Sequence, residues 1–383
     1  MIWQLGKGYT KVTGVISIAA VGTCIPLADA HLRGDSAMKP VIPMFKSALL
    51  ALTTLFAANP PVVAEDNGEW KVNGDLIGKK DKVAEDLSGI ACTTDSGFPR
   101  TCLLIDDEQQ SAQVVTLSDG EITAGRLIPL IDDRFDGNPV ELDGEGVAFA
   151  DNFFYVIGSH GRPRHDKDAT DQAQEAARVA AGLAACSKLI RLKFNPATGE
   201  IAHEPAVPSS SALARLIADE TLFAPSEGKT LEDGGVTVEG VAVGGQRLFA
   251  GFRGPVIENK SAVILSAALG HFFDGKPAEV TLHLLPLGPG RGVRDLAAFD
   301  KGILILAGPM QDVGGTYSVY WWDGASNSAK LLVDLPDFIS EKGKQWKPEA
   351  LLPLDRDTRG VRVLVLLDSA KEGKPRAVRI PYP

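Results

Sequence analysis

Five short segments of this chain share one pattern, and their spacing limits the fold more than any other feature. They are Leu87–Ala91 (LSGIA), Gly144–Phe149 (GEGVAF), Val238–Val243 (VEGVAV), Arg294–Phe299 (RDLAAF) and Pro348–Pro353 (PEALLP). The aligned position is Ser88, Glu145, Glu239, Asp295 and Glu349, at intervals of 57, 94, 56 and 54 residues. A repeat of this length belongs to propeller blades or solenoid units. The fourth repeat decides between them. Leu296–Phe299, Ile303–Ala307, Tyr317–Trp322 and Lys330–Val333 are β-branched and aromatic runs, broken by turn residues such as Asp300-Lys301-Gly302 and Asp323-Gly324. Four short strands per repeat predict an all-β protein, a β-propeller.

After Glu349 the chain has room for only three strands, Ala350–Pro353, Val361–Leu367 and Ala377–Ile380. Glu69–Leu76 is expected to supply the fourth, so the N- and C-terminal strands pair and close the ring. Closure removes sheet edges that would invite aggregation. The count is then five blades. The 94-residue interval reads as a second blade with a helical insertion at 165–187, Ala-rich and helix-prone, and a second helical stretch at 211–223. The alternative is two short blades in that interval, six in all.

Residues 65–383 form the single expected propeller domain, and residues 1–64 an N-terminal leader outside it. Lys39 and Lys46, the apolar run Ser47–Ala58 and the small-residue exit Val62-Val63-Ala64 fit a secretory signal peptide. Residues 12–27 are also apolar, so the region before Met38 reads either as an over-extended gene start or as part of a membrane anchor. Both runs are shorter than a typical spanning helix, so no stable membrane span is expected after cleavage. The expected location is the periplasm or outside the cell. Net charge is −10 for the whole chain and −13 without residues 1–64. An acidic surface repels phosphate backbones, so nucleic acid is not an expected partner. With a core this large the chain is expected to be a monomer. Cys92 and Cys102 lie on successive strands around Asp95-Ser96-Gly97, placed either to form a cross-strand disulfide in an oxidising compartment or to be two small buried residues. Cys186 has no C-x-x-C or paired histidine beside it, which gives zinc little support.

The segments DLSGIA (86–91), DGEGVAF (143–149), GSHGRPR (158–164), VEGVAV (238–243), GFRGP (251–255), GRGVRDLAAF (290–299) and KPEALL (347–352) resemble a bacterial β-propeller family described only as a domain of unknown function. The resemblance covers roughly residues 84–355. The E-G-[IVL] repeats are also distantly similar to exported esterase-like and phytase-like propellers. Neither likeness brings catalytic residues with it.

In a propeller the first strand of each blade lines the channel, so Glu145, Glu239, Asp295 and Glu349 should gather at one mouth. The loops after the second strands should reach the same face. They carry His160, Arg162 and Arg164; Arg253; Gln311 and Asp312; and Asp368 with Ser369. Arg291 and Arg294 flank the fourth repeat. One reading makes the acids architectural, each bonded to backbone N–H groups or an arginine. The other makes the mouth a hydrolase site for an anionic phosphate or carboxylate substrate. There Arg162, Arg164, Arg253, Arg291 and Arg294 bind the substrate. His160 transfers protons, with Glu145 or Glu239 as base or as ligand to a divalent cation such as calcium. The competing function is a non-catalytic propeller that binds a small anionic ligand or a protein on that face. The insertion at 166–185 follows the His160 loop directly and is expected to cover the mouth. No G-x-S-x-G surrounds Ser159, so it is not a nucleophile elbow.

Overall fold

The computed structural model describes residues 63–202 and 207–383. These residues form a five-bladed β-propeller. Blade 1 runs outward from Leu87–Cys92 through Arg100–Asp106 and Ser111–Ser118 to Glu121–Pro129. Blade 2 runs from Gly144–Ala150 through Phe153–Gly158 and Leu189–Asn195 to the short Glu200–Ile201. Blade 3 uses Thr237–Gly244, Arg247–Gly254, Ala262–Ala268 and Thr281–Leu285. Blade 4 uses Arg291–Phe299, Gly302–Pro309, Ser318–Trp322 and Lys330–Asp334. Blade 5 holds Lys347–Asp357, Gly360–Asp368 and Arg376–Ile380. The 94-residue interval is therefore one blade with insertions.

The ring closes through the N-terminal side of the body, one strand earlier than expected. Glu65–Glu69, not Glu69–Leu76, pairs antiparallel with Arg376–Ile380 and completes blade 5. Cross-strand charge selects this register: Asp66 lies 2.5 Å from Arg376, and Glu69 lies 3.2 Å from Lys374. Lys71–Asn73 continues across to pair in parallel with Glu121–Pro129 at the rim of blade 1. Trp70 and Leu76 are buried between the two blades. Val63 and Ala64 already belong to this body. Val63 bridges to Asp334, and the Ala64 N–H donates to the Asp334 carbonyl at 2.8 Å. The rest of the expected leader lies outside the described residues.

The core is divided into five apolar clusters, one for each blade interface. Each blade is thus buried on both faces, which explains near-continuous runs such as Val363–Leu367 rather than simple alternation. Trp322 is fully buried between blades 3 and 4, while its neighbour Trp321 is only partly covered, as opposite strand faces require. Cys92 and Cys102 stand directly opposite each other in blade 1 and form a disulfide.

Both helical insertions form. Helix α1, Gln172–Cys186, starts at Asp171, whose carboxylate accepts from the N–H groups of Ala173 and Gln174 at 2.9 and 3.0 Å. Helix α2, Ala212–Asp219, packs Leu213 and Ile217 into the cluster between blades 2 and 3.

Adjacent blades meet most closely just after the start of each innermost strand. A Cβ on Gly240 would sit 2.8 Å from the backbone nitrogen of Leu296 in the next blade. Gly240→Ala is therefore expected to lower unfolding free energy by about 1–3 kcal/mol through overpacking. Gly244→Ala, where the nearest atom would be 4.0 Å away, should lower it much less. Denaturant titration of the two variants checks this, and equal costs would contradict the close-packed interface.

Candidate functional site

Each inner hairpin carries a one-residue bulge near its start. The bulged residues are Ser88, Glu145, Glu239, Arg294 and Glu349. This corrects the repeat in blade 4. The residue equivalent to the acids is Arg294, and Asp295 falls one position later, where Gly146 and Gly240 stand in blades 2 and 3. Those glycines let neighbouring backbones approach. Asp295 bridges the same gap with its carboxylate, accepting from the N–H of Leu296 and of Leu351 in blade 5, each at 2.7 Å. It is 2% exposed and spends its carboxylate on two backbone N–H groups, so its role is architectural. The expectation of four equivalent mouth acids therefore holds for three.

The substitution of arginine into the ring settles the charge pattern. Arg294 is fully buried between the acids of the flanking blades. Its Nε lies 3.0 Å from Glu239 Oε2 and 2.9 Å from Glu349 Oε2, and its Nη2 bonds Glu349 Oε1. Glu239 is also held by Arg253 Nη1 at 2.7 Å, while Arg253 Nε donates to the Met310 carbonyl at 2.7 Å. Burial opposes the charge of Arg294, but the two carboxylates outweigh it and raise its pKa. Glu239, expected to be catalytic, and Glu349 are thus paired with arginines, although burial outweighs Arg294 and holds the Glu349 carboxyl up at about 8, and Arg253 and Arg294 are not free for substrate.

Glu145 is different. It makes no ion pair among the described residues and faces the mouth pocket, a cavity of about 620 Å3. Burial, then the charge of Glu239 and of Asp143, pushes its carboxyl well above the ordinary range. Two further carboxyls share this pocket. Asp107 is raised well above its usual value by burial and then by Asp143, and its buried Oδ1 has no partner among the described residues. Asp143 is raised by burial against a hydrogen bond from the Ser159 hydroxyl. Neither Asp107 nor Asp143 was selected from the sequence. The signal for Asp107 is its position: it follows the second strand of blade 1, as His160 and Arg253 follow those of blades 2 and 3.

The remaining expected residues are dispersed. Arg162 and Arg164 line the pocket, but Arg162 bonds His165 Nε2 at 3.1 Å and Arg164 pairs with Glu232 at 2.5 Å. Arg291 instead donates to Ser318 Oγ at 2.7 Å within its own blade. His160 does not join the acids. It is 7% exposed, borders a different cavity, and no carboxylate contributes to its pKa, which burial pushes down to about 4. Helix α1 does wall the mouth, through Arg178, Gly182 and Cys186. The Cys186 thiol is buried and pushed up to about 12, which leaves it unreactive. Among the described residues no group of three or more His, Cys, Asp or Glu has the arrangement of a metal site.

Removing the central guanidinium would leave two buried carboxylates short of their partner. Arg294→Met is expected to cost about 3–5 kcal/mol of stability, measured by denaturation at pH 7; a near-neutral effect would contradict the pairing. A second expectation concerns Asp106, 3% exposed behind Asp107. Burial, then the charge of Asp86, raises its carboxyl to about 7. The folded chain holds this proton after the unfolded chain has lost it at about pH 4. Stability from this group is therefore present at low pH and lost as pH rises through 7. His160 acts in the opposite sense, but only below about 6.5. Between pH 6.5 and 8 Asp106 contributes a fall of about 1 kcal/mol, Glu349, held up at about 8 by burial, adds to it in the same window, and Asp106→Asn should remove only the Asp106 share of the slope.

Several solved structures are similar to this chain at low identity. An exo-β-1,3-galactanase from Clostridium thermocellum is 11% identical at a TM-score of 0.43, with 81% of this chain aligned to 65% of that one. A putative 6-phosphogluconolactonase from Bacteroides uniformis is 9% identical at 0.33, over 77% and 71%. An α-L-arabinofuranosidase from Podospora anserina is 9% identical at 0.37, over 82% and 98%. At this level the likeness assigns no activity. This chain spans under two thirds of the galactanase. No curated protein matches it. A family model does match, over residues 87–379 and so across most of the propeller. The chain belongs to DUF3616, a family described as proteins of unknown function.

Proposed function

We propose that this protein is a hydrolase working at the mouth pocket, with Glu145 as the proton-transferring carboxyl and an uncharged, hydroxyl-bearing small molecule as substrate. The observation that carries this reading is the set of three raised carboxyls, Asp107, Asp143 and Glu145, in one cavity without an arginine partner among the described residues. Carboxyls that repel one another in a low-dielectric site cannot all ionise together. Mutual repulsion of this kind separates the carboxyls into one that keeps its proton longer and one that loses it sooner, the pair that general acid–base hydrolysis needs.

An uncharged substrate follows from the same contacts. Arg164, Arg253 and Arg294 are already paired with carboxylates, and Arg291 is turned to Ser318. Of the arginines that line the pocket, Arg164, Arg178 and Arg253 are paired with carboxylates and Arg162 bonds His165, so one unpaired guanidinium faces three carboxyls that would repel an anionic group. Hydroxyl groups, which both donate and accept, suit a mixture of protonated and ionised carboxyls. An exported location is supported by the Cys92–Cys102 disulfide, because such bonds persist in oxidising compartments.

A second reading rests on the locking of Glu239 and Glu349, which leaves Glu145 as the one bulge acid free of arginine. On that reading the pocket binds its ligand without turning it over. The full chain should be assayed against uncharged glycosides and esters and against phosphate monoesters, beside Glu145→Gln. Turnover of an uncharged substrate, with kcat lowered about 10²-fold or more in the variant and the fold retained, is the expected result. Turnover of phosphate esters alone would overturn it. Saturable binding that weakens in Glu145→Gln without turnover would establish the binding propeller instead.

A further inference from the structure

The connection from blade 1 to blade 2 contains a small hairpin, Arg134–Phe135 paired with Asn138–Pro139. Asp136 and Gly137 form its turn at φ 49° and 79°, the left-handed pair that a two-residue hairpin turn needs. Both ends are held. At the base, Gln110 Nε2 donates to the carbonyls of Asp133 and Val140 at 2.8 and 2.7 Å, and the Val140 N–H donates to the Asp133 carbonyl at 3.0 Å. At the tip, Gln174 Nε2 of α1 donates to Asp136 Oδ2 at 2.8 Å. The hairpin is therefore a fixed arm between blade 1 and α1.

Phe135 and Asn138 stand directly opposite each other in this hairpin, so their side chains share one face. Both line the mouth pocket together with Asp107, Asp143 and Glu145, and Phe135 is the one aromatic residue on that wall among the described residues. Phe135 is half-buried, yet it belongs to none of the five apolar clusters of the core. A phenyl ring kept out of the core and partly in water gains free energy when an apolar surface covers it. The pocket, at about 620 Å3, has the size of a small-molecule site.

The ring and the carboxyls together restrict what fits. The carboxyls bond hydroxyl groups, and the Asn138 amide both donates and accepts. The aromatic face carries negative charge density and takes an apolar, slightly positive C–H surface. A pyranose has both features, hydroxyls around its edge and a patch of C–H groups on one face. We propose that the mouth pocket is a carbohydrate site, in which Phe135 stacks on the C–H face of a pyranose while Asn138 and the carboxyls take its hydroxyls. This rests on the uncharged, hydroxyl-bearing ligand argued above and narrows it to a sugar ring, with or without turnover.

The full chain is titrated calorimetrically with the methyl α- and β-pyranosides of glucose, galactose, mannose and xylose. Sorbitol, an open-chain polyol with no ring face, is the control. At least one pyranoside should bind saturably, about tenfold or more tighter than sorbitol. Phe135→Ala should weaken that pyranoside about tenfold or more, and Phe135→Trp should retain it. Circular dichroism checks the fold of each variant, and if either fails to fold the sorbitol comparison in the unmodified chain decides. The same mixtures are then assayed for released methanol, which reads hydrolysis separately. Binding without methanol leaves the sugar site standing and removes glycoside hydrolysis. Ester turnover without pyranoside binding overturns the sugar site and leaves the hydrolase. No saturable binding of any pyranoside, equal binding of sorbitol, or unchanged affinity in Phe135→Ala overturns the proposal.

Discussion

One buried guanidinium organises the mouth of this propeller. Arg294 stands at a bulge where three of the other blades carry a glutamate, and it reaches both of its neighbours, Glu239 and Glu349. A ring with an acid at that position as well would force four carboxylates together in a low-dielectric channel. With arginine there, two acids are paired from one side, and Arg253 completes Glu239. The acid farthest from this arrangement, Glu145, is left without a cation. The same substitution thus stabilises blades 3 to 5 and leaves the uncompensated charge at blades 1 and 2, where Asp107 and Asp143 add to it.

Blade 2 departs most from the repeat, and both the mouth pocket and the cavity beside α1 and α2 adjoin it. The loop after its second strand, Gly158–Arg164, runs between them. Ser159, Gly161 and Arg164 line the mouth pocket, and His160 borders the cavity between α1 and α2. Helix α1 contributes to both walls, through Gly182 and Cys186 on one side and Leu183 on the other. Gly182 has a conformationally simple role here, since a Cβ would lie 2.9 Å from the Pro163 ring. A rigid toroid supplies the frame, and one irregular blade supplies the differentiated surfaces.

Much of the fold was legible in the chain, because blade strands are local objects. Runs such as Ile303–Ala307 and turns such as Asp323-Gly324 declare themselves within ten residues, and the repeat interval follows from counting. The helical stretches expected at 166–185, from its Ala-rich composition, and at 211–223 form as helices at 172–186 and 212–219. The closing strand was placed a few residues late, since Glu65–Glu69 has little strand character of its own. It is recruited by Arg376 and Lys374, some 300 residues away in sequence.

The sequence by itself determined the architecture: five wedges, a helical insertion in the second, and a mouth lined by the starts of the inner strands. Only the tertiary structure decided which of those residues are paired and which stand in the pocket without a cation. A bulge shifts side-chain identity by one position without altering the hydrophobic pattern, so Arg294 and Asp295 exchange roles invisibly. Charge pairing joins residues 55 positions apart, as in Arg294 with Glu349, and consumes arginines that composition alone would count as free. The side on which a loop histidine lies is set by the tertiary fold, and His160 borders a cavity separate from the pocket that holds the acids.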